Sequence, residues 1–309
     1  MRRGFIRPRG AGEKHLQLRR IEIKMMNWIS RNNILIVGLG LMGGSYAKAL
    51  KRLGFKVEAI DSRPESIRFA EENGLIDRGY DHPDETAIRK ADVIIFALYP
   101  EILKDWISEH QFLFKYGLLI TDVTGVKSCI VYEIQQMLRD DVEYVPSHPM
   151  AGREVSGVEN ADDTIFHGAN FIVAPTEKNT EAGIEWCWGL GKILGCRKIS
   201  VLTPEEHDEM IGFVSQLTHV IAVSLMTCND NTHLVDYTGD SFRDLTRIAS
   251  INEDMWSELF LLNKKYLLQH MDAFISEMDE FRSLLAEDDK EGLKEKMRLS
   301  TRRHAFFIQ

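Results

Sequence analysis

Three groups of residues in this chain have types and spacings that do chemistry. The first is the loop Ser147-His148-Pro149-Met150-Ala151-Gly152-Arg153-Glu154. A histidine that leaves a strand at the edge of an α/β sheet can take the proton of an alcohol while a hydride departs from its carbon. The second is Gly38-Leu39-Gly40-Leu41-Met42-Gly43, with Asp61 and Arg63 downstream. In such a loop one glycine makes the tight turn, the next lets the backbone approach a pyrophosphate, and the third allows close helix packing. An acid ending the following strand accepts bonds from ribose hydroxyls and repels a 2′-phosphate, so Asp61 favours NAD over NADP, with Arg63 tempering that preference. The third group, His219, Arg247 and Trp256, falls in a region of helical pattern.

These groups need a scaffold, and the hydrophobic pattern supplies one. The runs NILIVG (33–38), KVEAID (56–61), DVIIFAL (92–98), GLLITD (117–122) and NFIVAP (170–175) read as buried strands. YVPSHPM (144–150) reads as a strand running into a loop. Helical stretches such as SYAKALKRL (45–53) and PESIRFAEEN (64–73) lie between them, the alternation that makes βαβ units and a parallel sheet. After Thr203 the strand signals stop. Thr203-Pro204-Glu205-Glu206 is a capping box with proline at the first helical position, and Met210, Phe213, Val214, Leu217, Val220 and Ile221 are expected on one apolar face of the helix that follows. The expected architecture is therefore α/β. A tail over 1–30 precedes a Rossmann-like, doubly wound nucleotide domain over 31–203 and an all-helical domain for substrate binding and dimerisation over 204–309.

Composition narrows the function. With 309 residues, 44% hydrophobic and 28% charged, the chain has the make-up of a globular protein. A formal net charge of -9 leaves no basic surplus for nucleic acid. No uninterrupted apolar run reaches the ~18 residues of a membrane span. The four cysteines Cys129, Cys187, Cys196 and Cys228 lack metal or redox spacing, so thiols in a reducing cytoplasm are expected, with no metal. The arginine-rich first residues lack the apolar core of a secretory signal, and no chemistry is placed there.

The loop Ser147-His148-Pro149-Met150-Ala151-Gly152 resembles the signature loop of the prephenate and arogenate dehydrogenases. Matching stretches follow in order: Thr121-Asp122-Val123 with Lys127, Glu206-His207-Asp208, Leu217-Thr218-His219, Asp244-Leu245-Thr246-Arg247-Ile248-Ala249 and Met255-Trp256. With the glycine loop, the resemblance spans roughly residues 33 to 280. It implies a cytoplasmic, NAD-dependent oxidoreductase of aromatic amino-acid and tyrosine biosynthesis. Such an enzyme oxidatively decarboxylates prephenate, a small dicarboxylate, to 4-hydroxyphenylpyruvate. A helical domain with this much apolar surface beside an α/β domain often dimerises, so a homodimer through the helical domain is expected, the alternative being that those faces pack on each other. His148 matches the catalytic histidine, His219 a substrate-binding histidine, Arg247 the carboxylate anchor, Glu154 an acid near the site and Trp256 an aromatic bordering it. Neither a separate regulatory domain nor a fused chorismate mutase is expected after the last helix. One position departs from the pattern. Family members often carry a serine where this chain has Gly125, and Thr124 is the neighbouring residue that could supply the hydroxyl. Arogenate as substrate, a β-hydroxyacid dehydrogenase, and an NAD-binding protein with weak catalysis stay open as alternatives.

Overall fold

In a computed structural model, residues 33–307 are described. The expectation of a tail over 1–30 lies outside them. The chain divides into two compact units, one comprising residues up to 208 together with Ser250–Leu259, the other Glu209–Ala249 and Phe260–Gln309.

The first unit is built on a six-stranded parallel sheet in the order β3-β2-β1-β4-β5-β6. The strands are β1 (Asn33–Val37), β2 (Lys56–Ile60), β3 (Arg78–Tyr80), β4 (Val93–Phe96), β5 (Leu119–Asp122) and β6 (Glu143–Tyr144). This order reverses direction between β1 and β4, and the crevice at that switch point is where doubly wound sheets bind ligands. The two central strands are buried along nearly their whole length, as both faces are covered by helices. Ile34, Ile36, Val57, Val93 and Ile95 face one helical layer with Tyr46, Ala47 and Leu50, while Leu35, Val37, Ile94 and Phe96 face the other with Leu103, Ile107, Ile130 and Ile134.

Beyond β6 the chain differs from the sequence expectation. Residues 144–150 do not form one strand ending in a loop. Tyr144 closes the main sheet, and Ser147–Met150 (β7) opens a second, three-stranded sheet with β8 (Asn170–Val173) and β9 (Lys198–Val201). His148 faces Ile172 across the antiparallel pair β7·β8. Pro146, between β6 and β7, cannot donate to a ladder and so separates the two strands. Four residues with only intermediate or exposed burial make β9, too weak a pattern to read as a strand in advance.

The capping box forms as the sequence predicts. Thr203 N–H donates to Glu206 Oε2 at 2.8 Å, and Glu206 N–H donates to Thr203 Oγ1 at 3.2 Å. The helical run Pro204–Thr227 is long and apolar enough, by length and composition, to cross a membrane. Ser215, Gln216, Thr218 and His219 interrupt its apolar character. The expected apolar face does not close over a core within the chain. Leu217 is buried, but Met210, Phe213 and Val214 are each about half exposed. A π-helical stretch over Gly212–Leu217 also adds a residue to the turn, so the 3.6-residue periodicity on which that face was assigned does not hold through it. Within this second unit the stretch packs on helix Lys264–Ala286, where Asn263 Nδ2 donates to buried Gln216 Oε1 at 2.7 Å.

Candidate active site

At the end of β1 the chain turns through Gly38, whose φ of +96° belongs to the left-handed region. A Cβ on Gly38 would stand 2.4 Å from the Ala97 carbonyl oxygen, and one on Gly43 would stand 1.8 Å from the Gly38 carbonyl oxygen. Neither position can carry a side chain. At Gly40, by contrast, a Cβ would meet nothing within 4 Å, which leaves the open side of the loop to whatever approaches the backbone. Helix Leu41–Arg52 starts here with no side-chain cap on its first amides. Asp61, at the end of β2, accepts from Leu39 N–H at 2.6 Å and from Arg63 N–H at 2.9 Å. The Arg63 side chain folds back to 3.4 Å from the same carboxylate. The structure thus brings the loop Gly38, Leu39, Gly40, Leu41, Met42, Gly43 together with Asp61 and Arg63, and the open Gly40 side with the uncapped helix amides suits the approach of a pyrophosphate.

The second centre lies where β5 ends. Asp122 is fully buried and ion-paired to the equally buried Lys127, with Nζ 2.5 Å from Oδ2. The turn between them is organised by that carboxylate. Thr124 N–H donates to Asp122 Oδ2 at 2.9 Å, and on the other oxygen Ser147 N–H donates at 3.1 Å. Burial pulls the Lys127 pKa below its ordinary value, with Asp122 opposing the shift. The partly buried His148 projects from β7 beside this turn, and its Nδ1 is 2.9 Å from Nε2 of the fully buried His207. His207 Nδ1 lies 2.8 Å from Asp208 Oδ1. Asp208 accepts from the backbone N–H groups of Lys127 and Ser128, both at 2.8 Å, and from the Ser128 hydroxyl. It therefore caps helix Ser128–Met137 from a distant part of the chain.

Burial holds His148 well below the ordinary histidine value, reinforced by His207 and by the Lys127 charge. Burial also lowers His207, against the pull of Asp208. For Asp208, burial works upward, but the His207 and Ser128 hydrogen bonds outweigh it and keep the acid ionised. The centre can thus present a neutral imidazole at neutral pH, as a proton acceptor requires.

Residues 46–200 match the model of the prephenate dehydrogenase nucleotide-binding domain, and residues 203–299 match the model of the prephenate dehydrogenase dimerization domain. The chain belongs to the prephenate dehydrogenase family. It is 32% identical over 274 residues to the prephenate dehydrogenase of Bacillus subtilis, covering 85% of this chain and 72% of the relative. The Lactococcus lactis prephenate dehydrogenase is also 32% identical, over 84% of this chain and 73% of its own length. The crystal structure of prephenate dehydrogenase from A. aeolicus in complex with hydroxyphenyl propionate and NAD+ superimposes with a TM-score of 0.81 at 29% identity, covering 89% of this chain and 98% of that one. Within the prephenate dehydrogenase family pattern, the matched nucleotide-domain residues begin after the glycine loop, so the loop's assignment stands on its own geometry.

Not every residue singled out in the sequence gathers at this centre. Thr124 does not offer its hydroxyl to His148. Its Oγ1 is buried, 2.5 Å from Asp122 Oδ2 and 2.9 Å from the Val126 carbonyl, and it accepts from Lys127 Nζ at 2.9 Å. Burying the Asp122–Lys127 pair requires every available partner, and the hydroxyl is taken up there. Glu154 is exposed in the loop after β7. Trp256 is half-buried on helix Glu253–Leu262. His219 and Arg247 belong to the second unit. There the His219 Nδ1–H donates to the Ser215 carbonyl at 2.9 Å, and Arg247 is exposed at the end of helix Asp240–Thr246. Among the described residues no group of three or more His, Cys, Asp or Glu side chains is arranged to hold a metal ion. The residues that sequence reasoning left without a role are His207 and Asp208. The signal was present in the Glu206-His207-Asp208 stretch, but the pairing with His148 spans 59 positions and has no local signature.

At Gly125 the nearest neighbours of an added Cβ would be Leu259, at 3.6 Å, and His148 Cε1, at 3.9 Å, both ordinary contacts. Its φ lies outside the left-handed region. Gly125→Ser should therefore be accommodated and, by restricting the unfolded chain, should stabilise the protein by about 0.4–1 kcal/mol, read as a small rise in melting temperature. Lys127→Met removes a buried charge and strands Asp122. We expect a loss of about 3–5 kcal/mol in chemical denaturation, far more than an exposed lysine would cost.

Proposed function

We propose that the chain catalyses the oxidative decarboxylation of prephenate to 4-hydroxyphenylpyruvate, with His148 as the acceptor of the ring hydroxyl proton. The observation that carries this reading is a neutral, partly buried imidazole held beside the turn after β5 by a buried partner, in a chain of the prephenate dehydrogenase family. Bound NAD supplies the hydride acceptor, and Gly38 to Gly43 with Asp61 are the residues that would hold it. His148 draws the hydroxyl proton as the carbinol carbon gives up its hydride and becomes a carbonyl carbon. Loss of carbon dioxide then returns an electron pair to the ring, and the resulting phenolate recovers the proton from His148. No net proton is released, and aromatisation drives the step forward.

In the same proposal Arg247 anchors a substrate carboxylate, with His219, Glu154 and Trp256 contributing to the substrate's surroundings. Two copies of the chain pair through the helical residues 204–309. The half-exposed Phe213, Val214, Ile275 and Met278 support that pairing, since apolar surface of this extent on helices favours a covering partner. All four cysteines are free thiols, which fits a reducing compartment such as the cytoplasm.

The test is NADH formation followed spectrophotometrically with prephenate and with arogenate, each against NAD and NADP. Turnover should be greatest with prephenate and NAD, and absence of turnover with either acid would remove the assignment. His148→Asn should lower kcat by at least about a hundredfold, the scale of general-base catalysis. The pH profile has a definite sign. The base works when neutral, and burial holds its protonation midpoint in the free protein well below the ordinary value of 6.5, so kcat/KM should stay flat through neutrality, as far as His148 governs it, and fall only at more acid pH. A kcat/KM that already declines from pH 8 to 7 would contradict this. Arg247→Ala should mainly raise the KM for prephenate, as loss of ground-state binding does, and an unchanged KM would take Arg247 out of the carboxylate role.

A further inference from the structure

The chain Asp208, His207, His148 has a direction, and that direction determines which nitrogen of His148 carries its proton. An ionised carboxylate only accepts hydrogen bonds. Asp208 is fixed at the N-terminus of helix Ser128–Met137, where it takes the Lys127 and Ser128 amides and the helix favours an anion. His207 Nδ1, 2.8 Å from that carboxylate, must donate to it. A neutral His207 then has its lone pair on Nε2, and Nε2 is the atom 2.9 Å from His148 Nδ1. His148 Nδ1 must in turn carry a proton, which leaves the lone pair of His148 on Nε2.

We propose that His207, anchored by Asp208, is the positioning residue for His148, holding it as the Nδ1–H tautomer with its ring rotation fixed so that Nε2 is the atom that receives the substrate's proton. This rests on the reading of His148 as the base. His207 acts through His148 and is not itself required to touch the substrate. The groups that face His148 are consistent with a single tautomer. His207 is the hydrogen-bond partner at Nδ1, Lys127 is a cation already committed to Asp122, and Gly125, whose added Cβ would stand 3.9 Å from Cε1, brings neither donor nor acceptor in its side chain. A base whose lone pair alternated between two nitrogens would face the substrate correctly only part of the time. Orientation and tautomer control of this kind is what a carboxylate or similar partner supplies to catalytic histidines generally. On proton transfer the substrate O–H bond breaks and the Nε2–H bond forms. Nδ1–H stays in place as donor to His207, and the positive charge of the imidazolium is felt by Asp208 through the intervening ring.

The first measurement is made on the full-length enzyme. Nitrogen-15 spectra of histidine-labelled protein near neutral pH, with the His148 ring assigned through His148→Asn, should show a pyrrole-like Nδ1 and a pyridine-like Nε2. The reverse pattern overturns the proposal without any variant of His207 having to fold. The second measurement is kinetic. His207→Leu, which fills the space but accepts no hydrogen bond, should lower kcat about ten- to a hundredfold. The KM values for prephenate and NAD should stay within about twofold, and the His148 tautomers should become mixed. His207→Gln, whose side-chain oxygen can accept from Nδ1–H, should recover most of the lost kcat. Wild-type kcat in His207→Leu, or a loss that appears in KM alone, overturns the positioning role. If the wild-type enzyme shows the expected tautomer but oxidises neither prephenate nor arogenate, it is the assigned reaction that fails, not the tautomer.

Discussion

The buried ion pair between Asp122 and Lys127 is the constraint on which the active centre depends. Two fully buried charges are costly unless each is surrounded by partners, and here the partners are drawn from several elements. One carboxylate oxygen takes Lys127 Nζ and Thr124, and the other takes the Ser147 amide. Ser147 returns its hydroxyl to the Asp122 carbonyl at 2.9 Å and meets Thr121 Oγ1 at the same distance. Ser147 is the first residue of β7, and His148 is the next. Satisfying the charge therefore pins the first residue of the second sheet to the end of β5 and fixes the backbone that carries the imidazole.

A second carboxylate applies the same logic one turn further on. Lys127 is shared between the two acids, its side chain bound to Asp122 and its amide to Asp208. The turn from Asp122 to Lys127 is thus held at both ends, and Gly125 lies inside it, against the edge of the His148 ring. That arrangement gives the missing serine a physical context. His148 already has a hydrogen-bond partner in His207 on its Nδ1 side, so the ring does not depend on residue 125 for its orientation.

The sheet was legible because parallel strands buried on both faces leave continuous apolar runs, as in Ile34 to Val37 and Val93 to Phe96. The glycine turn after β1 was legible because steric exclusion admits only glycine at positions such as 38 and 43, and the capping box because its partners sit three residues apart. Other features left no such local trace. Strand β9 is four half-exposed residues, and the helix around Gly212–Leu217 breaks the period on which face assignments rely. Thr124 looked available as a hydroxyl donor because sequence does not reveal how many acceptors compete for one proton. His207 looked like an ordinary helix-start histidine because its partner is brought to it only by the tertiary fold.

If His148 is the base, as proposed, the electrostatics of the centre account for the support the ring receives. Burial, His207 and the Lys127 charge all disfavour an imidazolium at position 148, so the ground state holds a neutral ring. A base that was only destabilised as a cation would gain nothing when the proton arrives. Asp208, kept ionised by its hydrogen bonds, stands one ring away from His148 along a line of aligned donors. Its attraction counts little while His148 is neutral and grows as charge develops there. Interactions that strengthen only as the transition state forms are the ones that raise rate rather than mere affinity. The separation of the two carboxylates follows from this. Asp122 is consumed in neutralising Lys127 and building the scaffold, which leaves Asp208 as the anion whose field along the histidine pair can respond to the chemistry.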